Sequence, residues 1–277
     1  MGYQAGYSTT TGIYNTFIGS YDGGGYPAGF YNTIGFNNTG VGAGAMKSNV
    51  SGNYNTAVGT ASSSANANGI HNTGIGFNAL QTNLSSYMTA VGSAALASNT
   101  TGTGDAIGYS ALTNNTTGYS NLAVGIYALL SNTYGITNTG VGNQSLRSNT
   151  TGNNNTGLGA SSLFNNTIGG QNTALGTSTL YYNTSGDSNT EVGYNALYQN
   201  TYGLYNVGVG QGALSNNTTG SSNIAIGYNA VLYNTTGVDN IGVGRATVRN
   251  NTYGTGNIGV GNYAQLSVTT GSANIAV

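Results

Sequence analysis

Asn189–Tyr205 reads NTEVGYNALYQNTYGLY, Asn206–Ser222 reads NVGVGQGALSNNTTGSS and Asn223–Asp239 reads NIAIGYNAVLYNTTGVD. These are three copies of one seventeen-residue unit. Followed outward in both directions, the unit runs from Asn38 to Ala273 in fourteen copies, twelve of seventeen residues and two of sixteen, which begin at Asn72 and Met88. A short fixed period is the signature of a repeat architecture, in which each unit buries its apolar face only against its neighbours.

Each position within the unit has a readable job. Position five is glycine in all fourteen copies, from Gly42 to Gly261, and the residue before it is aliphatic, as in Val41, Ile75, Leu158 and Val260. Position nine is Leu, Val or Met in twelve copies, including Leu80, Leu112, Leu197 and Val231. Position fifteen is glycine in thirteen, Ser86 being the exception, as expected where a turn needs a positive φ or leaves no room for a Cβ. Each unit therefore reads as a strand, a turn, a second short apolar stretch and another turn.

Seventeen residues carrying two glycines and an Asn-Thr pair hold no stable pair of helices, because helical repeats need about thirty residues or more. The expected fold is all-β, a parallel β-solenoid or β-roll of about sixteen 17-residue coils. At roughly 4.8 Å per coil it would make a rod of about 75 Å. Residues 1–277 are read as a single solenoid domain with an irregular insertion at about 20–37. There, 23 residues separate Asn15 from Asn38, and the stretch holds Pro27, the run Gly23-Gly24-Gly25, Asp22 and a shortened echo, Asn32-Thr33-Ile34-Gly35. A protruding loop is expected, either a docking loop or a tolerated insertion.

Composition narrows the function. Four Lys/Arg and five Asp/Glu give a net charge of −1, and glycine contributes 48 residues. Lys47, Arg147, Arg245 and Arg249 are too few to neutralise a run of phosphates, which argues against nucleic acid as a partner. The absence of cysteine rules out disulfides and thiolate metal sites. No run of eighteen apolar residues suggests membrane insertion, and residues 1–20 lack the basic start and apolar stretch of a signal peptide, so an exported protein would need its signal elsewhere.

Catalysis finds little support. His71, the one histidine, falls at the end of a unit with no acid or nucleophile recurring beside it, and reads as a solvated turn residue. Asp22, Asp105, Asp187, Glu191 and Asp239 are scattered singly, without a carboxylate pair or calcium loop. GVGAGA at Gly40 and GVGQGA at Gly208 mimic part of a dinucleotide fingerprint without its helix or acidic partner. No enzyme activity, cofactor or metal is expected.

Four sets of positions are candidate surfaces. Position three is Ala or Gly in thirteen copies, Glu191 being the exception. If the aliphatic position four points inward, position three points out, and a row without bulk suggests close approach of another chain. The competing reading is a tightly wound coil that squeezes position three inside. Position twelve is asparagine in thirteen copies. Asn99, Asn115, Asn149, Asn183, Asn217 and Asn234 sit in Asn-x-Ser/Thr sequons, which leaves glycosylation or an asparagine ladder as readings. Asn132, Asn166, Asn200 and Asn251 keep the asparagine where the sequon fails, which favours the ladder. Threonine fills position thirteen in eleven copies, from Thr100 to Thr269, a row that suggests ordered water and ice binding. Many of the 22 tyrosines lie at variable positions, suited to stacking on sugars or packing against subunits.

The chain ends complement each other. Gly2, Tyr3, Gln4 and Ala5 read as positions five to eight of a unit lacking its start, and Asn274, Ile275, Ala276 and Val277 as positions one to four of another. Two readings follow, a window cut from a longer array or end-to-end association of subunits through these residues.

The units NTGVG at Asn138, NTALG at Asn172, NIAIG at Asn223 and NIGVG at Asn240, followed by a small residue and an aliphatic one and closed, as at Asn149 and Asn234, by Asn-Thr-Thr-Gly, resemble the head-domain repeats of trimeric autotransporter adhesins. They are similar as well to the glycine- and asparagine-rich repeats of phage tail fibres. The resemblance implies parallel β-rolls assembled as homotrimers that attach to host or matrix surfaces. The expected function is thus a structural, self-assembling subunit of an extracellular fibre, on a cell or virion surface, with copies of itself and surface glycans as partners. The alternatives are a tail-fibre shaft positioning a receptor-binding tip, and an ice- or glycan-binding solenoid.

Overall fold

The structure, a computed structural model, describes residues 3–265 and 269–277. It is all-β, and every paired strand runs parallel to its neighbour. The chain forms two compact halves, Met1–Thr137 and Asn138–Val277. The first holds β1 (Thr16–Ile18), β2 (Thr39–Val41), β3 (Thr56–Val58), β4 (Thr73–Ile75), β5 (Thr89–Val91), β6 (Gly104–Ile107) and β7 (Asn121–Val124). The second holds β8 (Thr139–Val141), β9 (Thr156–Leu158), β10 (Thr173–Leu175), β11 (Thr190–Val192), β12 (Val207–Val209), β13 (Ile224–Ile226), β14 (Ile241–Val243), β15 (Ile258–Val260) and β16 (Ile275–Ala276). Within each half, successive strands pair in sequence order and repeat in register, as in Thr39↔Thr56 and Val207↔Ile224. The expected parallel β-solenoid is what the chain forms.

Each strand covers positions two to four, and the rest of the coil is a succession of turns. Positions seven, nine and seventeen are left-handed even when the residue is not glycine, as at Asn195 (φ 54°), Leu197 (φ 48°) and Tyr205 (φ 59°). Such φ values cost of order 1–2 kcal/mol for a side chain with a Cβ. They make peptide N–H groups alternate in direction. Ala79 and Asn83 donate back within their own coil to Gly76 and Leu80, whereas Leu80 and Thr82 donate to Ala95 and Ala97 of the next. Every coil is thereby tied to its neighbour outside the strands as well as in them.

The interior reverses the expected strand phase. Position three faces inward, with Ala57, Ala90, Ala106, Ala174 and Ala225 fully buried, while position four faces out, with Ile75 40% and Ile226 42% exposed. The small row is no outward contact surface. It is small because the strand lies directly against positions eight and nine of the opposite wall, leaving room for a methyl group or less. A Cβ on Gly157 would lie 2.6 Å from Ser145 Oγ, and one on Gly259 would lie 2.7 Å from Val248 Cγ2. Leucine at position nine, including Leu96, Leu129 and Leu214, fills the remaining space.

The extra residues of the insertion are narrower than expected. Gly29 and Tyr31 already donate to Ala45 and Lys47 in coil register, so the excess lies at residues 20–26. Asn32-Thr33-Ile34-Gly35 is not a second strand start but positions twelve to fifteen, Asn32 Oδ1 accepting from Asn49 Nδ2 at 2.7 Å. Asp22 organises the loop through the N–H groups of Gly24 and Tyr26 and through Lys47 Nζ at 2.9 Å. Partial burial opposes its ionisation, but these donors outweigh burial and hold its carboxyl below the usual range. Beneath the loop, Phe17 replaces the small residue of position three, and Gly29 replaces the leucine of position nine to admit the ring.

The glycine of position five meets two demands at once. Gly210 has φ 134°, and a Cβ there would lie 2.5 Å from the carbonyl oxygen of Gly227 in the next coil. Gly210→Ala is expected to lower the unfolding free energy by about 2–4 kcal/mol through backbone strain plus overpacking. Gly23→Ala, in the insertion where a Cβ meets nothing within 4 Å, should change it by less than about 0.5 kcal/mol. Urea unfolding of the two variants measures the contrast.

Candidate functional site

Two buried asparagine ladders close the coils. At position twelve, Asn183 Nδ2 donates to Asn166 Oδ1 of the preceding coil at 2.8 Å and to Gly186 O of its own at 2.9 Å, while its Oδ1 accepts from Asn200 Nδ2 at 2.7 Å. Asn99, Asn115, Asn217 and Asn234 make the same pair of bonds, and Asn149 donates to Gly152 O and accepts from Asn166. These six asparagines are fully buried with their amides directed into the ladder. A sugar on Nδ2 would displace those bonds, so the geometry accords with the ladder reading.

The second ladder, at position one, escaped notice in the sequence. Asn172 Nδ2 bonds Asn155 Oδ1 at 3.2 Å and Gly186 O at 2.8 Å, and its N–H also donates to Asn155 Oδ1. The Gly186 carbonyl therefore receives both the first and the twelfth residue of one coil and clamps its two ends together. Its signal in the sequence is the asparagine that opens nearly every copy. Position fifteen is glycine because a Cβ would press on this clamp. Its φ lies outside the left-handed region, so room and not handedness is the reason.

The position-thirteen threonines spend their hydroxyls between coils. Thr116 Oγ1 donates to Thr133 O at 3.0 Å, and the same carbonyl accepts the N–H groups of Thr116, Thr117 and Gly118. The row proposed for ordering water is thus bonded inward. The outward rows are instead those of positions two and four. In the second half they become wholly aliphatic at β12 to β15, where Val209 (39%), Ile226 (42%), Val243 (36%) and Val260 (41%) stand exposed.

Aromatic rings stack coil on coil. Phe164 and Tyr181 lie 4.9 Å apart at 3°, Tyr181 and Tyr198 5.3 Å apart at 25°, and Arg147 sits 5.4 Å over Phe164. His71 is an exposed turn residue with φ 55°, stacked between Tyr54 at 4.8 Å and Tyr87 at 5.3 Å. Rings stacked in this way turn their faces to one another and present edges to solvent, which suits packing better than sugar stacking.

Of the terminal residues, Gly2 lies outside those described. Tyr3, Gln4 and Ala5 stack in register, with Gln4 left-handed (φ 56°) as position seven requires and Ala5 packed beside Phe17 and Ala28. Asn274 joins the position-one ladder on Asn257, and Ile275–Ala276 pairs with β15 while Val277 is 98% exposed. Among the described residues no group of three or more His, Cys, Asp or Glu is placed to hold a metal, and no helix is long and apolar enough to cross a membrane.

Glu191 is the anomaly. It occupies the small inward position three, fully buried, in register between Ala174 and Gly208, and neither carboxyl oxygen has a partner. A Cβ on Gly208 would collide with it. Burial disfavours its charged form and pushes its acid well above the ordinary carboxylate range.

These features define a parallel β-solenoid repeat protein with amide-ladder closure. No protein-family model matches the chain, and no curated protein is significantly similar to it.

Two outcomes follow for stability. Asn183→Ala strips partners from Asn166 Oδ1, Asn200 Nδ2 and Gly186 O, and is expected to cost about 2–4 kcal/mol in urea unfolding. For Glu191 the folded-state pKa is raised, so the stability it permits is complete below its unfolded value near 4.5 and declines as pH rises toward the folded value. Glu191→Ala should raise the melting temperature at neutral pH and flatten that decline. A thermal melt series across pH tests it, and a variant no more stable than the parent at pH 7 would refute it.

Proposed function

We propose that this chain is a non-enzymatic structural subunit of an extracellular fibre, self-assembling with copies of itself and carrying an attachment surface. The observation that supports this best is the outward position-four row of aliphatic side chains, set at strand spacing on a rigid support. Exposed apolar rows of this regularity mark surfaces that another chain covers. A second copy has the same row at the same spacing, so identical faces match without any further specificity element. A homotrimer, the arrangement implied by the resemblance to adhesin head repeats, brings three such rows to one axis. The amide ladders supply rigidity, because buried asparagines bind each coil to the next.

The native mass of the full chain in solution, set against its denatured mass, tests the reading. A discrete multiple of the chain mass is expected, three in the trimeric arrangement. Ile226→Asp with Val243→Asp should dissociate the assembly while leaving the coils folded by circular dichroism. A parent chain that stays at the mass of one copy up to high concentration would sink the proposal.

A further inference from the structure

Two of the four basic residues of the chain, Arg245 and Arg249, meet at one cleft of about 230 Å³ in the second half, lined with them by Tyr228, Asn229, Ala246 and Tyr263. The Arg245 guanidinium lies 5.8 Å from the Tyr228 ring and 5.4 Å from the Tyr263 ring, so one side chain is held between two aromatic walls. Arg249 is held 5.3 Å over Tyr233, and its Nε is buried with no hydrogen-bond partner. Among the described residues neither guanidinium is paired with a carboxylate. Lys47, by contrast, is paired with Asp22 in the other half.

Two fixed cations on one short turn repel each other until an anion joins them, and their planar forks match the oxygens of a carboxylate or sulfate group bidentately. The surrounding rings restrict the side chains in advance, which lowers the entropy cost of binding. Tyr228 and Tyr263, each nearly half exposed, and the Asn229 amide at the rim add hydroxyl and amide groups beside the charged pair. The cleft is too small for a drug-sized molecule and suits about one sugar ring. Two cations neutralise too few phosphates to hold a nucleic acid.

We propose that this cleft binds the oxyanion of an acidic saccharide unit, a carboxylated or sulfated sugar. The proposal rests on the reading that the outer surface serves attachment, and it names the ligand class of one part of that surface. Arg245 and Arg249 supply the charge-assisted bonds, and Asn229 and the tyrosine hydroxyls contact the neighbouring sugar hydroxyls.

The test is calorimetric titration of the full chain with a galacturonate tetramer, a sulfated chondroitin tetrasaccharide, a neutral cellotetraose, inorganic sulfate and a short single-stranded DNA. At least one acidic saccharide should bind more tightly than the neutral one and lose affinity as salt rises. Arg249→Gln should weaken it about tenfold or more, and Arg245→Lys, which keeps the charge and loses the fork, by less than Arg245→Gln. Arg147→Gln serves as a control that leaves it unchanged, and thermal melts establish that each variant is folded. Equal binding of the neutral saccharide, or unchanged binding in the folded double variant Arg245→Gln with Arg249→Gln, overturns the proposal. So does inorganic sulfate that binds as tightly as the saccharides, or DNA that binds more tightly. The titration reads the cleft whatever the assembly state. Its failure therefore leaves the fibre reading standing, and a single-copy native mass leaves the cleft standing.

Discussion

The closing of a seventeen-residue coil depends on what its buried asparagines can bond to. An amide enclosed without partners costs more than a packed coil of this size can recover, because the interior offers little beyond alanine, glycine and one leucine per turn. The solution is to satisfy each amide from the neighbouring coil and from one glycine carbonyl of its own. Asn172 and Asn183 both reach Gly186, and their oxygens accept from Asn189 and Asn200 of the coil that follows. A single coil would leave half of these groups unbonded, so coil closure and coil stacking are one event. That coupling is the basis of nearest-neighbour stability in repeat proteins.

The glycines follow from the same thinness. From Gly42 to Gly244, position five turns out of the strand at a φ of 129° to 138°, directly beneath the equivalent carbonyl of the next coil, and no side chain fits between. Position three adjusts to what stands near it. Gly40 lies by Phe17, Gly157 by Ser145 and Ser162, Gly208 by Glu191, and Gly242 by Val231, whereas alanine serves at Ala90 and Ala123 in copies whose position eight is alanine. Each of these glycines thus answers a particular side chain that a Cβ would press against, as close packing requires.

The period, the parallel solenoid and the position-twelve ladder were legible because each is written as an exact recurrence, and Asn166 and Asn200 persist where a sequon would not. The phase of the strand was only half legible, since the tightly wound coil that puts position three inside stood as the competing reading and is the one the chain adopts. A three-residue strand has only two phases, and hydrophobicity favours burying Val41 or Ile75 over Gly40 or Gly74. The deciding quantity was the gap between walls, which a strand-by-strand reading does not contain. Small residues at position eight, such as Ala79 and Ala213, held the clue, since two small rows facing each other imply a narrow interior. The six surplus residues of the insertion were countable, yet their place was hidden because Asn32-Thr33-Ile34-Gly35 copies the letters of a strand start while serving as a closing turn. The Arg245–Arg249 cleft was invisible for a different reason. It needs the turn geometry that carries positions six and ten of one coil to the tyrosines of the coils on either side.

This division of labour determines where variety can enter. Positions one, three, five, eight, nine, twelve and fifteen are bound by ladder, clearance or core, and a change at any of them is felt by two neighbouring coils. Positions six, ten and fourteen carry side chains away from the coil, and that is where Tyr228, Arg245, Arg249, Phe164, Tyr181 and Tyr202 stand. A residue placed there is automatically aligned with its counterparts one strand spacing away, so two or three substitutions in adjacent coils make a patch without disturbing the interior. Glu191 shows the opposite case. An ionisable residue placed on the inner row finds no partner for its carboxyl oxygens, burial pushes its acid well above the ordinary range, and the next coil has no Cβ at Gly208 to collide with it.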